Sequence, residues 1–570
     1  MQQTNANKRT VANLADLVNS SALLYGDKPY LRFQRNREEW QVTFSQLKAA
    51  VDRVGTAMSR MGSRVVAVMG ETSPEWIITY LATVNGGRVI VPIDRELAPE
   101  QIAGFANKAG VDTFVYSSTY AAQFVDTSSF ETVRYFVQTC APLDDAVDPQ
   151  APLAEGKLYF EQLVWQGEQL ISQGEHSFLN HVIDREKLCA ILFTSGTTGT
   201  SKGVMLSQKN ITAAVNASHA VTDFTYEDVI LSVLPVHHTY EMTCGILTPI
   251  LIGATVCIND GLKYVMKNMK RYQPTGLVLV PLFVNTMYKK IWDTAARNGL
   301  DKKLKFGLGL SNKLRKVKID VRRRLFKSVI EGFGGRLNLI ICGGAALNPE
   351  MVDAFEAFGI RMYQGYGITE CAPLISVTRK GNKHSDSVGP PVPGLEAMVD
   401  RENPEDAVGE ILVRGDNVML GYFMDEQATA QVMNDGWFAT GDYGYIDGEG
   451  QIYITGRKKN VIVLENGKNV FPEEIESYLE KMPLVKECAV VGRVQEDSET
   501  VKITAVIYPD PSEAEALGLE DRAQIATYLK EQVAQLNKSL PAFKQIRGVE
   551  LRKTEFDKTT SHKIKRHTIN

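Results

Sequence analysis

Between about residue 40 and residue 300, short β-rich apolar runs alternate with helical patterns, and this alternation limits the fold more than any other feature of the chain. The runs Val65–Met69, Val89–Pro92, Thr113–Tyr116, Val229–Leu234, Thr255–Ile258 and Gly276–Val280 read as strands. Buried strands separated by helices predict parallel α/β layers. Residues 140–187, richer in Asp, Gln, Glu and Pro, read as an excursion from that pattern. After residue 390 the texture changes. Gly409–Arg414, Gly450–Ile454 and Val461–Leu464 read as antiparallel strands, with Asp-Gly turns at 435–436 and 447–448. The last segment, roughly 460–570, has strands of its own at Glu487–Val491 and Lys502–Tyr508, and reads as a small separate α+β domain.

Length and charge narrow the function. A chain of 570 residues, 44% hydrophobic and 23% charged, is ordinary for a multidomain globular enzyme. The net charge of −4 supplies no global basic field, so no nucleic-acid partner is expected. The seven cysteines are scattered and form no Cys-x-x-Cys pair, which points to neither a zinc site nor a disulfide framework. The first residues hold no secretory apolar core, and no uncharged run approaches the ~20 residues of a membrane span. A reducing cytoplasm fits best. One stretch, Asn312–Lys327, is locally basic, with Leu314, Val317, Val321 and Leu325 at helical spacing continuing to Val329. Two readings of it stand: an amphipathic helix with a solvated charged face, or a peripheral contact with the cytoplasmic face of a membrane.

Five short segments carry the chemistry. Residues 194–203, TSGTTGTSKG, follow the apolar run Leu188–Phe193. Glycines let backbone N–H groups approach an anion, and hydroxyls add donors. Thr194, Ser195, Gly196, Thr197, Thr198, Gly199 and Lys202 are therefore candidates for a phosphate cradle, against a plain solvated turn. The Walker pattern is excluded, because Lys202 sits between Ser201 and Gly203. Residues 339–346, LIICGGAA, run a buried strand into small residues, where a flat ring could lie on bare backbone at Gly344, Ala345 and Ala346; a strand-ending turn is the alternative. Residues 364–370 read QGYGITE. Tyr366, between Gly365 and Gly367 and after Gln364, could stack a base. Thr369 could bond a phosphate, and Glu370 offers the hard oxygen that Mg²⁺ prefers. Asp442, in WFATGD, could accept bonds from two ribose hydroxyls, with Arg457 of GRKKN as a donor beside it. Those two could equally be an ordinary ion pair.

Taken in order, TSGTTGTSKG, GGAA, YGITE, TGD and GRKKN closely resemble the AMP-forming adenylate superfamily of acyl-CoA synthetases, luciferases and peptide-synthetase adenylation domains. The resemblance spans most of the chain. It implies an α/β fold with a large N-terminal domain, residues 1–458, made of two α/β layered subdomains and a β-rich one. A small mobile α+β domain, residues 459–570, would turn about Lys459. It also implies a reaction in which a carboxylate attacks the α-phosphate of Mg-ATP and a thiol then takes the acyl group, with ATP, Mg²⁺ and coenzyme A as cofactors. By this likeness residues 194–203 cradle the β- and γ-phosphates, Gly344–Ala346 and Tyr366 frame the adenine, Thr369 meets the α-phosphate, Glu370 holds the metal, and Asp442 with Arg457 holds the ribose.

Joining two anions builds charge on phosphorus, and a positioned cation at ~4 Å offsets it by about 4 kcal/mol at an effective dielectric of ~20. The family places a lysine near the C-terminus, after Thr-Gly; the matching lysine is Lys563, with Lys565 as the fallback. His562 stands where the family usually has glycine, and Ser201 where it commonly has proline. The segment LPVHHTYEM, residues 234–242, matches the family's acid-binding side, and His238 matches a residue lining the junction of acid and thiol tunnel. Histidines stand where amino-acid-activating relatives place an aspartate. With the apolar run VLVPLFVNTMY at 278–288, this is most similar to long-chain fatty acyl-CoA synthetases, and a medium- or long-chain fatty acid is expected. Loading of an acyl carrier protein, and ligation of a short or aromatic acid, are the alternatives.

Overall fold

The computed structural model describes residues 8–139, 148–194, 201–316, 319–401, 403–464, 468–495, 498–558 and 564–569. The chain divides into two compact units. The first holds nearly all residues up to Glu396 together with Arg414–Met433; the second holds Ala397–Val413 and Asn434–Asn570.

The first unit carries two eight-stranded sheets. In one, the order is Gly421–Tyr422, Lys202–Ser207, Leu188–Thr194, Val89–Ile93, Val65–Met69, Thr113–Ser117, Tyr135–Thr139, Gly156–Tyr159. In the other it is Leu374–Val377, Arg361–Gly367, Leu339–Cys342, Gly276–Leu279, Val229–Ser232, Thr255–Ile258, Pro29–Arg35, Glu38–Thr43. Both are parallel through the middle and antiparallel at an edge. The α/β layers expected from the alternation are therefore present. The central parallel strands are apolar because both of their faces are covered, as parallel sheets require: Val66, Ala67, Ile90 and Val91 are fully buried, as are Leu231, Leu277 and Ile340.

Two local expectations change. The segment 140–187 is not a simple excursion: Gly156–Tyr159 extends a sheet in parallel with Tyr135–Thr139, and Phe160–Ser172 is a helix. The helix read through residues 312–329 is broken. Asp301–Lys316 is one helix, and short turns follow at Arg322–Leu325 and Lys327–Gly332. Asp320 lies just before the first of these turns, its carboxylate accepting the backbone N–H of Arg322 at 3.2 Å.

The second unit begins with an antiparallel sheet in which Trp437–Ile446 lies between Gly409–Gly415 and Ile452–Arg457. Towards the C-terminus, Val485–Gln495, Ser498–Pro509 and Gly548–Leu551 form a three-stranded sheet. Its core joins Ile475 and Leu479 of the helix Pro472–Leu479 to Val490, Ile503, Ile507 and, from the helix Arg522–Asn537, Leu529 and Val533. This is the α+β texture expected of the C-terminal segment.

Candidate active site

Four neighbouring parallel strands put four of the sequence segments on one sheet edge. Val229–Ser232, Gly276–Leu279, Leu339–Cys342 and Arg361–Gly367 pair in that order and run the same way. Their carboxyl ends lead into the His238 segment, Val280 and Pro281, Gly343–Ala346 and Ile368–Glu370. Ligands of open α/β sheets bind outside the carboxyl ends of strands, where loops diverge.

The glycines on this edge are explained by close approach. A Cβ on Gly343 would lie 3.0 Å from the Gly365 carbonyl and 3.2 Å from the Tyr240 ring, and one on Gly367 would strike the Pro373 carbonyl. Gly344 has φ of +84°, which favours glycine. Residues 344–346 are exposed while Leu339–Cys342 behind them is buried, so a bare ledge of small residues caps the strand. Such a ledge fits a flat heterocycle. Tyr240 underpins it, its hydroxyl shared between the carbonyls of Ile341 at 3.1 Å and Leu279 at 3.3 Å. Gln364 is buried, and its amide is committed to the carbonyls of Ser385 at 2.7 Å and Ser387 at 2.9 Å. Gly365 and Tyr366 pair with Val377 and Ser376 across the antiparallel edge.

Residues 195–200 and Lys563 lie outside the described residues, but the ends of the first loop are fixed. Thr194 pairs with Lys202 across a hairpin, and the Thr194 hydroxyl donates to the Lys202 carbonyl at 3.4 Å. Tyr422, a residue the sequence reading missed, links this hairpin to the Thr369–Glu370 turn. Its strand pairs with Val204 and Met205. Its hydroxyl donates to Glu370 Oε1 at 3.0 Å, and Lys202 Nζ stands 4.5 Å from its ring centroid. The backbone backs this up: Met419 N–H donates to the Glu370 carbonyl at 2.8 Å, and Asn417 Nδ2 to the Cys371 carbonyl at 3.1 Å. Burial, with the Glu370 charge second, raises the Tyr422 pKa, so the phenol stays a donor. A half-buried carboxylate oriented in this way fits a magnesium ion.

On the acid side, the His237 and His238 rings meet at a tilt of 52°, with 4.2 Å between their centroids. Burial, then the His238 charge, lowers the His237 pKa against the opposing pull of Asp94, which stands 3.6 Å away. Glu241 is fully buried. It accepts a hydrogen bond from the Ser232 hydroxyl, and burial pushes its pKa up to about 8.

In the second unit, strand register alone pairs Asp442 with Arg457. Arg457 Nε stands 2.8 Å from Asp442 Oδ1; the aspartate side chain is 4% exposed and the arginine 40%. Thr440 Oγ1 accepts the Asp442 N–H at 3.1 Å. The ion pair allowed by the sequence thus exists, and the exposed arginine gives it an accessible side. Lys459 lies in the turn Lys458–Asn460, whose first residue bonds Glu410 at 2.7 Å. Lys565 is half-buried, its N–H on the Asp557 carbonyl at 2.8 Å.

Comparison with known proteins agrees with this architecture. Residues 19–423 match the model for the AMP-binding enzyme family, and residues 459–570 the model for the AMP-binding enzyme C-terminal domain. A long-chain-fatty-acid–CoA ligase 6 of Mus musculus is 28% identical over 541 residues, covering 89% of this chain and 76% of its own. A peroxisomal long chain acyl-CoA synthetase 6 of Arabidopsis thaliana is 30% identical over 490 residues, covering 80% and 68%. Among solved structures, an anthranilate CoA ligase bound to anthranoyl-AMP superposes with a TM-score of 0.76 at 21% identity, over 100% of this chain and 98% of that one. ATP-bound MatB of Rhodopseudomonas palustris gives 0.73 at 24%, over 98% of each. At such identities the structural likenesses speak for the fold.

Proposed function

The chain belongs to the AMP-binding enzyme family and is an AMP-forming acyl-CoA ligase using ATP, Mg²⁺ and coenzyme A, and we propose that its acid is a medium- or long-chain fatty acid. One observation carries the substrate reading. The two segments singled out for the acid come together in an apolar cluster: Leu234, Cys244 and Val278 are buried, with Tyr240, Val280 and Phe283 against them. The acid of that segment, Glu241, is kept neutral and turned to Ser232, so the cluster offers an alkyl chain contact surface and offers a substrate ammonium no charge. The two long-chain relatives support the same class.

In this reading Thr194–Gly199 and Lys202 hold the outer phosphates. Gly344–Ala346 and Gln364–Gly367 frame the base, Asp442 and Arg457 take the ribose, and Thr369 meets the α-phosphate. Glu370 holds the magnesium, which screens phosphate charge when bound. His238 stands beside the acid, Lys563 supplies the cation that opposes charge growing on phosphorus, and Lys459 is the pivot between residues 1–458 and 459–570. The reaction takes place in the cytoplasm, with residues 301–327 resting on the cytoplasmic face of a membrane, into which such acids partition.

The test is hydroxylamine-trapped adenylation over acetate, octanoate, palmitate, benzoate and leucine, followed by transfer to coenzyme A or to a holo-acyl carrier protein. Turnover rising from acetate to octanoate or palmitate, with coenzyme A as acceptor, is the expected result. A preference for benzoate or leucine, or for the carrier protein, would overturn the reading.

A further inference from the structure

One buried carboxylate, Glu410, binds both residues that adjoin the Asp442–Arg457 pair. The strand Gly409–Gly415 runs antiparallel to Trp437–Ile446, pairing Glu410 with Tyr443 and then Leu412 with Ala439, so Ile411 alone lies opposite residues 440–442. The extra residues form a bulge, a feature that re-aims side chains beside active sites. Gly441 takes φ of +72° there, which favours glycine. Thr440 closes the bulge: its hydroxyl donates to the Ile411 carbonyl at 2.8 Å and accepts the Asp442 N–H at 3.1 Å. The Gly441 N–H, just before Asp442, leaves the ladder and donates to Glu410 Oε1 at 3.0 Å. Lys458, just after Arg457, donates through Nζ to Glu410 Oε2 at 2.7 Å. Glu410 itself is 8% exposed.

A carboxylate that takes a backbone N–H on one oxygen and an ammonium on the other is fixed in orientation, because both bonds are charge-assisted. A buried pair of this kind is costly to desolvate and is weak evidence of stabilisation; fixing one arrangement is its better-attested use. The arrangement fixed here is that of the bulge, and the bulge sets where Asp442 points. We propose that Glu410 is the positioning residue of the ribose site, holding Asp442 through Gly441 and Arg457 through Lys458. The proposal rests on the reading of Asp442 as the acceptor of the ribose hydroxyls. Glu410 touches no reactant in it and acts only through the backbone neighbours of the pair.

The experiment compares the full-length protein with Glu410→Ala, Glu410→Gln and Asp442→Ala. Calorimetry gives the dissociation constants of 2′-deoxy-AMP and 3′-deoxy-AMP relative to that of AMP, and a smaller folded fraction leaves these ratios unchanged. In the wild type the larger ratio is expected to be roughly tenfold or more, the size of a hydrogen bond to a charged group. Glu410→Ala should bring it to within about threefold of unity, with a smaller fall for Glu410→Gln, whose amide offers one acceptor where two donors converge. Two assays follow the reaction: acid-dependent ATP–pyrophosphate exchange, and thioester formation from supplied acyl-AMP and coenzyme A. Glu410→Ala should raise KM for ATP in the first and for acyl-AMP in the second, because both steps hold the same ribose. A ratio within twofold of wild type in both Glu410 variants, alongside a collapsed ratio in Asp442→Ala, would overturn the positioning role alone. A ratio near unity in the wild type, or one unchanged in Asp442→Ala, would overturn the ribose reading beneath it.

Discussion

Tyr422 shows what one residue can decide at this site. It donates to Glu370 and lies under Lys202, so the carboxylate proposed for the metal and the lysine proposed for the phosphates share a neighbour. Tyr422→Phe keeps the ring and removes the hydroxyl. A hydrogen bond to a charged group contributes about 1.5–3 kcal/mol, so exchange at limiting Mg²⁺ is expected to fall roughly tenfold, with part of the loss recovered at high Mg²⁺. Titrating Mg²⁺ in the exchange assay checks this; identical curves would remove Tyr422 from the site. Glu241 gives a second test. A carboxyl whose pKa rises from 4.5 unfolded to about 8 folded binds its proton more tightly in the native state. Its contribution is fully present below pH 4.5 and is lost as pH climbs towards 8, with a limiting slope of ~1.4 kcal/mol per pH unit. Glu241→Gln should therefore flatten the fall in melting temperature between pH 5 and pH 8, and parallel profiles would contradict the neutral acid. Glu370 and Lys202 were legible in the sequence because each sits in a local motif. Tyr422 was not, since only the pairing of its strand with Val204 and Met205 brings it to them.

At the scale of elements, period carried most of the information. Strands buried on both faces are continuous apolar runs, so Val65–Met69 and Thr255–Ile258 were read to the residue. The break after Lys316 was not, because 3.6-residue periodicity continues through it and only the Asp320 turn shows that a new helix begins. The helix before that break explains more than the sequence reading asked of it. Leu304, Leu308 and the buried Ser311 face the core, yet Phe306 is 73% exposed and Leu310 40% on the opposite side, among exposed Lys302, Lys303, Lys305 and Lys313. Residues 301–327 contain eleven Lys and Arg against two Asp. Apolar side chains with a basic surround give the two signals that stable peripheral binding needs, and each cation near an anionic surface adds about 1 kcal/mol. Among the described residues no helix is long and apolar enough to cross a bilayer. The protein is expected to pellet with vesicles containing phosphatidylglycerol and not with phosphatidylcholine alone. Lys302→Glu with Lys303→Glu, or Phe306→Ser, should each weaken the pelleting severalfold; equal binding by all three would make the face a solvated one.

At the scale of the molecule, the resemblance and the compact units draw different lines. The resemblance puts a pivot at Lys459, a single point of the chain. Beyond residue 390 the compact units exchange the chain at three places, between 396 and 397, 413 and 414, and 433 and 434, and keep 434–458 with the C-terminal sheet. One crossing leaves a rotation free about a few backbone dihedrals, whereas three crossings must move together. A ligase that first joins acid to AMP and then passes the acyl group to a thiol has two tasks to serve with one set of C-terminal residues, which favours the freer pivot. Proline tests the choice, because it locks its own φ near −65° and restricts the residue before it. If the chain turns at Lys459, Lys459→Pro should leave one of the two assays, exchange or thioester formation, within about twofold while the other falls tenfold or more, the signature of a trapped orientation. A variant with both rates near wild type would place the motion elsewhere, and substitutions at the three crossings would then be the ones to separate the steps.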